Sequence, residues 1–170
     1  MGVLALVRAA GSGPAQETAE HLRTLGAGDV RIVEEDELAG AGAAASGDVL
    51  VVRAGARLAA GALERLAEAA GDPVVATAAA IALDGAHDAA AVAERSLHLR
   101  PRTPRATLDC AWVNRSALEL AGPLDDSFGE RCSALGLLHV VADDVLAAGV
   151  PATDSTDPLD AEYLDGPPRP

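Results

Sequence analysis

Residues 47–66 read Gly47-Asp-Val-Leu-Val-Val-Arg-Ala-Gly-Ala-Arg-Leu-Ala-Ala-Gly-Ala-Leu-Glu-Arg-Leu66, and this stretch decides the fold class. The apolar run from Asp48 to Val52 is short and rich in valine, which is typical of a strand buried on both faces. From Ala60 to Ala70 the leucines recur at helical spacing, and Gly71-Asp-Pro73 follows as a stop signal. The stretch therefore predicts a strand, a tight turn and a helix.

The same alternation continues on both sides of this stretch. Upstream it predicts strands at 3–7 and 29–33, a helix that starts at Pro14, and a short alanine-rich helix at 36–45. Downstream it predicts strands at 74–83 and 107–113, helices at 86–97 and 116–121, and a proline-rich loop at 98–105. A last helix is predicted from the spacing of Leu135, Leu138, Ala142, Val145 and Leu146, with Gly149 as its cap.

This order of elements predicts the fold class. Strands that alternate with helices at this spacing are joined by crossovers, so neighbouring strands run parallel. We therefore expect an α/β fold in which a mostly parallel sheet is sandwiched by helices. One domain is expected over residues 1–152, because 170 residues suit a single core. Residues 153–170 are rich in aspartate and proline, which predicts a disordered tail.

The charge of the chain excludes several classes of function. The formal net charge is −13 at pH 7, and all 13 basic residues are arginine, as is common in proteins from high-GC bacterial genomes. An acidic chain is a poor partner for nucleic acid, whose phosphates are bound by clustered basic side chains. The lack of lysine also excludes a Schiff-base lysine and a P-loop lysine.

Hydropathy and cysteine content favour a cytoplasmic protein. No apolar stretch approaches the ~20 residues that a membrane span requires, and the first residues lack the basic start of a signal peptide. We therefore expect no membrane span and a cytoplasmic location. Cys110 and Cys132 are not spaced as a metal framework and are expected to be buried thiols.

A second stretch, together with the first, carries a resemblance to a known family. Residues 110–128 read Cys110-Ala-Trp-Val-Asn-Arg-Ser-Ala-Leu-Glu-Leu-Ala-Gly-Pro-Leu-Asp-Asp-Ser-Phe128. Residues 47–66 resemble the strand, acidic turn and helix of family-2 glycosyltransferases. Residues 110–128 resemble the acceptor-side strand and helix of the same family. The two stretches also follow each other in the family's order and at roughly its separation. The resemblance spans roughly residues 2–152. It implies a GT-A fold, reduced in size, and a nucleotide sugar as the possible ligand.

The resemblance implies a metal site at a turn where this sequence departs from the family. The family's acidic turn holds a divalent cation that neutralises the donor diphosphate, and such a hard cation needs oxygen ligands. Here the turn reads Arg53-Ala-Gly-Ala56, with Gly55 at the position of the coordinating aspartate. The sequence therefore predicts no divalent-metal site and no metal cofactor.

The resemblance also implies a catalytic base at the start of a helix, about a dozen residues before a terminal Ala-Gly. Counting back from Ala148-Gly149 reaches His139 and two leucines rather than the family's Glu-Asp pair. The carboxylates of Glu130 and Asp143-Asp144 match only if the helix shifts by more than one turn. The sequence therefore predicts that the family's base is lost.

Three residues remain as candidate catalytic groups. His139 is a candidate base because imidazole titrates near neutrality. Asp109 precedes the 110–113 strand, and Asp125 occupies the family's turn aspartate position. Each has a structural alternative: a packed histidine, a strand-end carboxylate and an aspartate that fixes a turn.

Arginines offer a way to bind a donor diphosphate without metal. Arg53 and Arg57 flank the turn that contains Gly55, and Arg102 lies on the proline-rich loop. A guanidinium binds phosphate through two parallel hydrogen bonds. These four residues are the candidate diphosphate-binding set, and the alternative is that the arginines are solvated surface residues.

Two functions follow from the resemblance and its departures. The favoured one is a pseudo-glycosyltransferase that keeps the fold, is non-catalytic or depends on a partner, and serves as a binding partner in a biosynthetic complex. The alternative is a metal-independent glycosyltransferase that moves a sugar from a nucleotide-sugar donor to a small-molecule or peptide acceptor.

Overall fold

The computed structural model describes residues 3–9, 12–83, 92–93, 96 and 99–150. The strands are β1 Leu4–Arg8, β2 Asp29–Val33, β3 Val49–Arg53, β4 Arg57–Leu58, β5 Val75–Leu83, β6 Arg102–Thr103, β7 Cys110–Val113 and β8 Leu138–Ala148. The helices are α1 Ser12–Thr24, α2 Leu38–Ala43, α3 Ala62–Ala69, α4 Arg115–Ala121 and α5 Phe128–Ala134, and a 3₁₀ turn at Glu35–Glu37 precedes α2.

The strands form one mixed sheet in the order β2-β1-β3-β7-β5-β8-β4, with β6 pairing on β8. The pairs β1–β2, β1–β3 and β5–β8 are parallel. The pairs β3–β7, β5–β7, β4–β8 and β6–β8 are antiparallel. The expectation of a mostly parallel sheet is therefore wrong, although the α/β class is right. The reason is that β7 lies between β3 and β5 and runs antiparallel to both.

Helices cover both faces of the sheet, and small apolar side chains fill the space between. One core cluster joins alternate β1 residues such as Ala5 and Val7 to α1 and α3. The other joins Leu4 and Leu6 to α2, α4 and α5. This alternation follows from the two-residue period of a strand. Every residue of β3 up to Val52 is fully buried, as its valine-rich sequence predicts.

The strand β7 carries the single tryptophan of the chain into the core. The Trp112 side chain is buried, and its Nε1 donates a hydrogen bond to Asp48 Oδ2 at 3.1 Å. Asp48 Oδ1 also accepts from the backbone N–H of Arg115, the first residue of α4, at 2.8 Å. Asp48 thus ties the start of β3 to β7 and α4.

The last predicted helix is wrong, because residues 138–148 form the strand β8. Ala80 and Ile81 are neighbours in β5, yet they pair with Ala142 and Leu146 of β8. Residues 143–145 of β8 are therefore extra relative to β5 and form a bulge. A bulge breaks the two-residue period of a strand, so the apolar residues fall three and four apart and imitate a helix.

Most other predicted elements are confirmed to within a few residues. Two short strands, β4 and β6, and the helix α5 were not predicted, and β6 lies inside the predicted loop at 98–105. The predicted helix at 36–45 divides into the 3₁₀ turn and α2. The predicted helix at 86–97 lies mostly outside the described residues, and the predicted tail at 153–170 lies entirely outside them. In the described part of the chain, no helix combines the length and apolar character needed to cross a membrane.

Candidate functional site

A cleft of about 1120 Å³ opens where β1 and β2 end. Ligands of open α/β sheets bind outside the carboxyl ends of the parallel strands, so this cleft is the candidate site. Its walls are Arg8 at the end of β1, the segment that leads into α2, the loop before β7, and the turn and first half of α5. The charged groups in this lining are Arg8, Arg105, Glu35, Asp36, Asp125, Asp126 and Glu130.

Arg8 is held by contacts on three sides. Its Nε and Nη2 atoms donate to both carboxylate oxygens of Glu35 at 2.7 to 3.0 Å. Its Nη1 donates to the backbone carbonyl of Leu108 at 3.2 Å and lies 3.7 Å from Asp109 Oδ1. The Arg8 side chain is 22 % exposed and that of Glu35 is 60 % exposed. Arg8 is therefore held on several sides, whereas Glu35 is an exposed partner at the surface.

Asp109 brings Arg53 into the same cluster. Arg53 Nη1 lies 3.5 Å from the Asp109 oxygen that also faces Arg8. The backbone N–H of Arg53 donates to the carbonyl of Asp109 at 2.7 Å, which fixes the two residues relative to each other. The structure thus places the predicted residues Arg53 and Asp109 together, with Arg8 as a third member. The Asp109 carboxylate therefore lies between two guanidiniums.

The turn after β3 is fastened to α1. Thr18 is buried, and its Oγ1 accepts the backbone N–H of Gly55 at 2.9 Å. The exposed Arg57 guanidinium pairs with Glu17 of α1 at 3.0 Å. Arg57 therefore faces α1, and neither Arg57 nor Gly55 is part of the described cleft lining.

The described residues offer no obvious metal ligand set. None of the described clusters of His, Cys, Asp or Glu has three members arranged to hold a metal ion. The resemblance places the coordinating aspartate at Gly55, and the turn Arg53–Ala56 offers no carboxylate to a divalent ion.

Arg102 and Arg105 lie three residues apart but in different surroundings. Arg102 belongs to β6, is exposed and pairs through its backbone with Val140 of β8. Arg105 follows β6 and lines the cleft. The structure therefore places Arg105 of this loop, rather than Arg102, on the cleft wall.

Asp125 fixes the turn that starts α5. Its Oδ1 accepts the backbone N–H of Ser127 at 2.9 Å and a hydrogen bond from Arg131 Nη1 at 2.8 Å. The hydrogen bond from Arg131 lowers the pKa of the Asp125 carboxyl below its usual value. Asp125 lines the cleft, but these two contacts occupy one of its oxygens.

His139 lies beneath α5 and has both ring nitrogens engaged. Its Nε2 contacts the carbonyl oxygen of Gly129 at 3.2 Å, and its Nδ1 contacts Thr77 Oγ1 at 2.8 Å. A carbonyl can only accept, which assigns the ring proton to Nε2 and makes the Thr77 hydroxyl the donor to Nδ1. The histidine is 2 % exposed, and this burial lowers its pKa. The geometry separates His139 from the cleft by the backbone of Gly129.

Glu130 is a carboxylate that the sequence analysis did not match to the family's base position. Gly149 follows the strand β8 rather than a helix, whereas α5 is followed by Gly136 with φ of +78°. A count of about a dozen residues back from Gly136 reaches Leu124 and Asp125, and Glu130 lies six residues before Gly136. Glu130 lies in the first turn of α5 and lines the cleft. The argument for a lost base is therefore wrong in its helix assignment. The Leu135-Gly136 pair was the available sequence signal for the end of this helix.

The two cysteines do not contribute reactive groups to the site. Cys110 belongs to the core on the α1 side of the sheet and Cys132 to the core on the opposite side. Burial raises the pKa of Cys110 to about 12, with a further contribution from Asp109, and raises the pKa of Cys132 to about 11. Both thiols stay protonated at neutral pH.

The fold is similar to that of two solved structures. One is described as the crystal structure of A197 from STIV, with a TM-score of 0.54, 12% identity, and coverage of 86% of this chain and 84% of that chain. The other is the crystal structure of GalNAc-T7 with UDP, GalNAc and Mn2+, with a TM-score of 0.55, 9% identity, and coverage of 87% of this chain and 43% of that chain. No family model matches the chain, and no curated protein matches it by sequence. The likeness shows a GT-A-like fold that spans less than half of the GalNAc-T7 chain.

Proposed function

We propose that the cleft binds a nucleotide sugar, or the nucleoside diphosphate derived from it, without a divalent cation. In this proposal the domain is a pseudo-glycosyltransferase that presents the bound nucleotide to a protein partner in a biosynthetic complex. The observation that carries the proposal is the Arg8–Asp109–Arg53 cluster at the ends of β1 and β3. Once a ligand displaces Glu35 from Arg8, two guanidiniums face one carboxylate, which leaves a net positive charge beside the turn at which the resemblance would place a metal.

The charge balance of the cleft supports one orientation of the ligand. Arg8 lines the cleft, and Arg53 lies on the other side of Asp109, outside the described lining. A diphosphate would bind at Arg8 by taking the place of the exposed Glu35 carboxylate. The opposite wall, at the turn and first turn of α5, carries the exposed carboxylates of Asp125, Asp126 and Glu130. Such groups accept hydrogen bonds from sugar hydroxyls but repel phosphate. The diphosphate is therefore expected at Arg8 and the hydroxyl-rich part of the ligand towards α5.

Calorimetric titration of the full chain with UDP, GDP, ADP and their sugar conjugates tests this proposal. Each titration is run with EDTA and again with Mn²⁺. We expect one nucleotide to bind equally well in both conditions and Arg8→Ala to weaken binding about tenfold or more, as expected for loss of a charged hydrogen-bond pair.

The matched control is Arg31→Ala. Arg31 is half-exposed on the outer strand β2, away from the cleft lining, and its guanidinium contacts Asp29. This variant changes the net charge by the same amount and should bind the nucleotide like the wild type. If no nucleotide binds in either condition, or if binding requires Mn²⁺, the proposal is overturned.

A second candidate function is metal-independent sugar transfer, and Glu130 is the observation that favours it. A carboxylate in the first turn of α5, facing the cleft, is placed to accept a proton from an acceptor hydroxyl as it attacks the sugar. Release of nucleoside diphosphate from the nucleotide sugar, measured in EDTA, separates the two functions. Release by the wild type that is lost in Glu130→Gln, with nucleotide affinity unchanged, identifies a transferase or hydrolase. Binding without release identifies the non-catalytic domain.

A further inference from the structure

The strand β2 is the outermost strand of the sheet and has one free edge among the described residues. It pairs with β1 on its inner side only. Asp29 N–H and Val33 C=O point inward, towards Val3 and Ala9. Because N–H and C=O of successive residues alternate in direction, the polar groups of Val30 and Ile32 point outward. The Val30 carbonyl indeed accepts a bond from Arg23 Nη2 of α1 at 3.3 Å, in an exposed position.

The side chains of this strand divide into a charged face and an apolar face. Asp29 and Arg31 lie on one face, 2.7 Å apart, and their side chains are 56% and 52% exposed. Val30 and Ile32 lie on the other face, with Val30 packed against the α1-side core and Ile32 41% exposed. An exposed edge strand with an exposed isoleucine is a template for pairing with another strand.

We propose that a second copy of this chain pairs with this edge through its own β2, antiparallel and centred on Val30. In this register Val30 lies opposite the partner's Val30, and its outward N–H and C=O form the hydrogen-bonded pair. Asp29 then lies opposite the partner's Arg31, and Arg31 opposite the partner's Asp29. The Asp-Val-Arg sequence thus matches itself across a two-fold axis.

Both faces of the strand favour this register over its neighbours. On the charged face, two opposite-charge pairs form at non-hydrogen-bonded positions, where cross-strand side chains approach most closely. On the apolar face, Ile32 lies diagonally across from the partner's Val30. Val30 and Ile32 of both copies therefore form one continuous apolar strip. Centring the pair on Arg31 would oppose two like charges, which destabilises a strand pair.

The surroundings of β2 are complementary in the same register. The carboxyl end of β2 leads into the acidic 3₁₀ turn at Glu35–Glu37, and the amino end follows the last turn of α1, which carries Arg23. Antiparallel pairing sets the acidic end of one copy beside the basic end of the other. In the dimer, the Arg23 guanidinium leaves the Val30 carbonyl and contacts the acidic 3₁₀ turn of the other copy. Since each chain carries a formal charge of −13, the association is expected at physiological ionic strength rather than at low salt.

Variants that exchange the charges at residues 29 and 31 test the proposal, and sedimentation velocity of the full chain in ~0.15 M salt measures their dimerisation. The wild type should form dimers as its concentration rises. Asp29→Arg and Arg31→Asp each replace two attractive pairs with two repulsive ones and should raise the dimer dissociation constant about tenfold or more. The double variant, Asp29→Arg with Arg31→Asp, restores opposite charges and should dimerise like the wild type. A monomeric wild type, or a double variant no better than the single ones, overturns the proposal.

Crosslinking tests the register independently of the charges. Val30→Cys should form a covalent dimer on oxidation, since its α-carbons across the axis are about 5.5 Å apart, within the range of a disulfide. Ile32→Cys is the matched control, because the two residues 32 are displaced by four positions, about 14 Å. Equal crosslinking of both variants, or crosslinking of residue 32 alone, overturns the register. Circular dichroism confirms that each variant is folded.

Discussion

Gly149 and Gly55 meet backbone to backbone, so closely that a β-carbon on Gly149 would lie 2.6 Å from the carbonyl oxygen of Gly55. Gly149 follows β8 and Gly55 lies in the turn after β3, with φ values of +77° and +96°. The turn after β3 is therefore packed against the end of β8 and against α1. The conformation of this turn therefore depends on glycine at both positions.

The first prediction compares two glycines with the same backbone conformation. Gly149→Ala should destabilise the protein by about 2–4 kcal/mol, because the methyl group meets the Gly55 carbonyl in addition to the cost of a positive φ. Gly136→Ala has φ of +78° and open space around it, so it should cost only about 1–2 kcal/mol. Urea unfolding measures both. Equal losses would show that the contact with Gly55 contributes nothing.

The second prediction concerns the hydroxyl of Thr18. It donates to the carbonyl of Pro14 and accepts the Gly55 N–H, both at 2.9 Å. Thr18→Val keeps the shape but leaves the Gly55 N–H without its partner, which should cost about 1–3 kcal/mol in urea unfolding. Thr24→Val removes an exposed hydroxyl from the same helix and should change stability by less than about 0.5 kcal/mol. A Thr18 variant as stable as the control contradicts the prediction.

The third prediction concerns Glu35 as the resting partner of Arg8. A phosphate that binds Arg8 must displace this exposed carboxylate, and an exposed ion pair is worth up to about 1 kcal/mol. Glu35→Gln should therefore bind a nucleoside diphosphate about two- to fivefold more tightly by calorimetry. Glu17→Gln breaks a similar exposed pair with Arg57 outside the cleft and should leave the affinity unchanged. Weaker binding by the Glu35 variant would mean that this carboxylate contacts the ligand directly.

The fourth prediction concerns stability against pH. Burial lowers the pKa of His139, so below pH 6.5 the unfolded state takes up a proton more readily than the folded state. The stability contributed by the neutral imidazole is fully present above pH 6.5 and is lost as pH falls from 6.5 through the lower pKa of the folded protein. Thermal unfolding of the wild type should lose stability across this window, and His139→Gln should lose less. Parallel pH profiles of the two proteins would refute the assignment.

The sequence predicted β1, α1, β2, β3 and α3 well because each of them follows one period. The valine-rich β3 and the leucines of α3 have no bulge or unusual backbone to disturb their spacing. The prediction was wrong at β8, where the bulge beside Asp143 removed the strand period. That error also displaced the count for the base, since the count assumed that Gly149 ended a helix.

The candidate site was predictable only in part, because its members come from distant segments. Arg53 and Asp109 were singled out separately, but their contact depends on the antiparallel pairing of β3 with β7. Arg8 was not singled out, since an arginine at the end of a predicted strand has no local signal of function. Only the parallel register of β1 with β3, which aligns Arg8 with Arg53, reveals the cluster.

The position of Trp112 has a practical consequence for optical measurements. It is the sole indole of the chain and lies on β7, the strand at which the parallel half of the sheet meets the other half. Its ring is buried and bonded to Asp48, which holds the start of β3. Its emission spectrum therefore reports on the junction between β3 and β7. A red shift of the emission maximum would mark exposure of the indole to water as the two halves of the sheet separate. Because Trp112 is not part of the described cleft lining, the position of its emission maximum is expected to follow this junction rather than occupancy of the cleft.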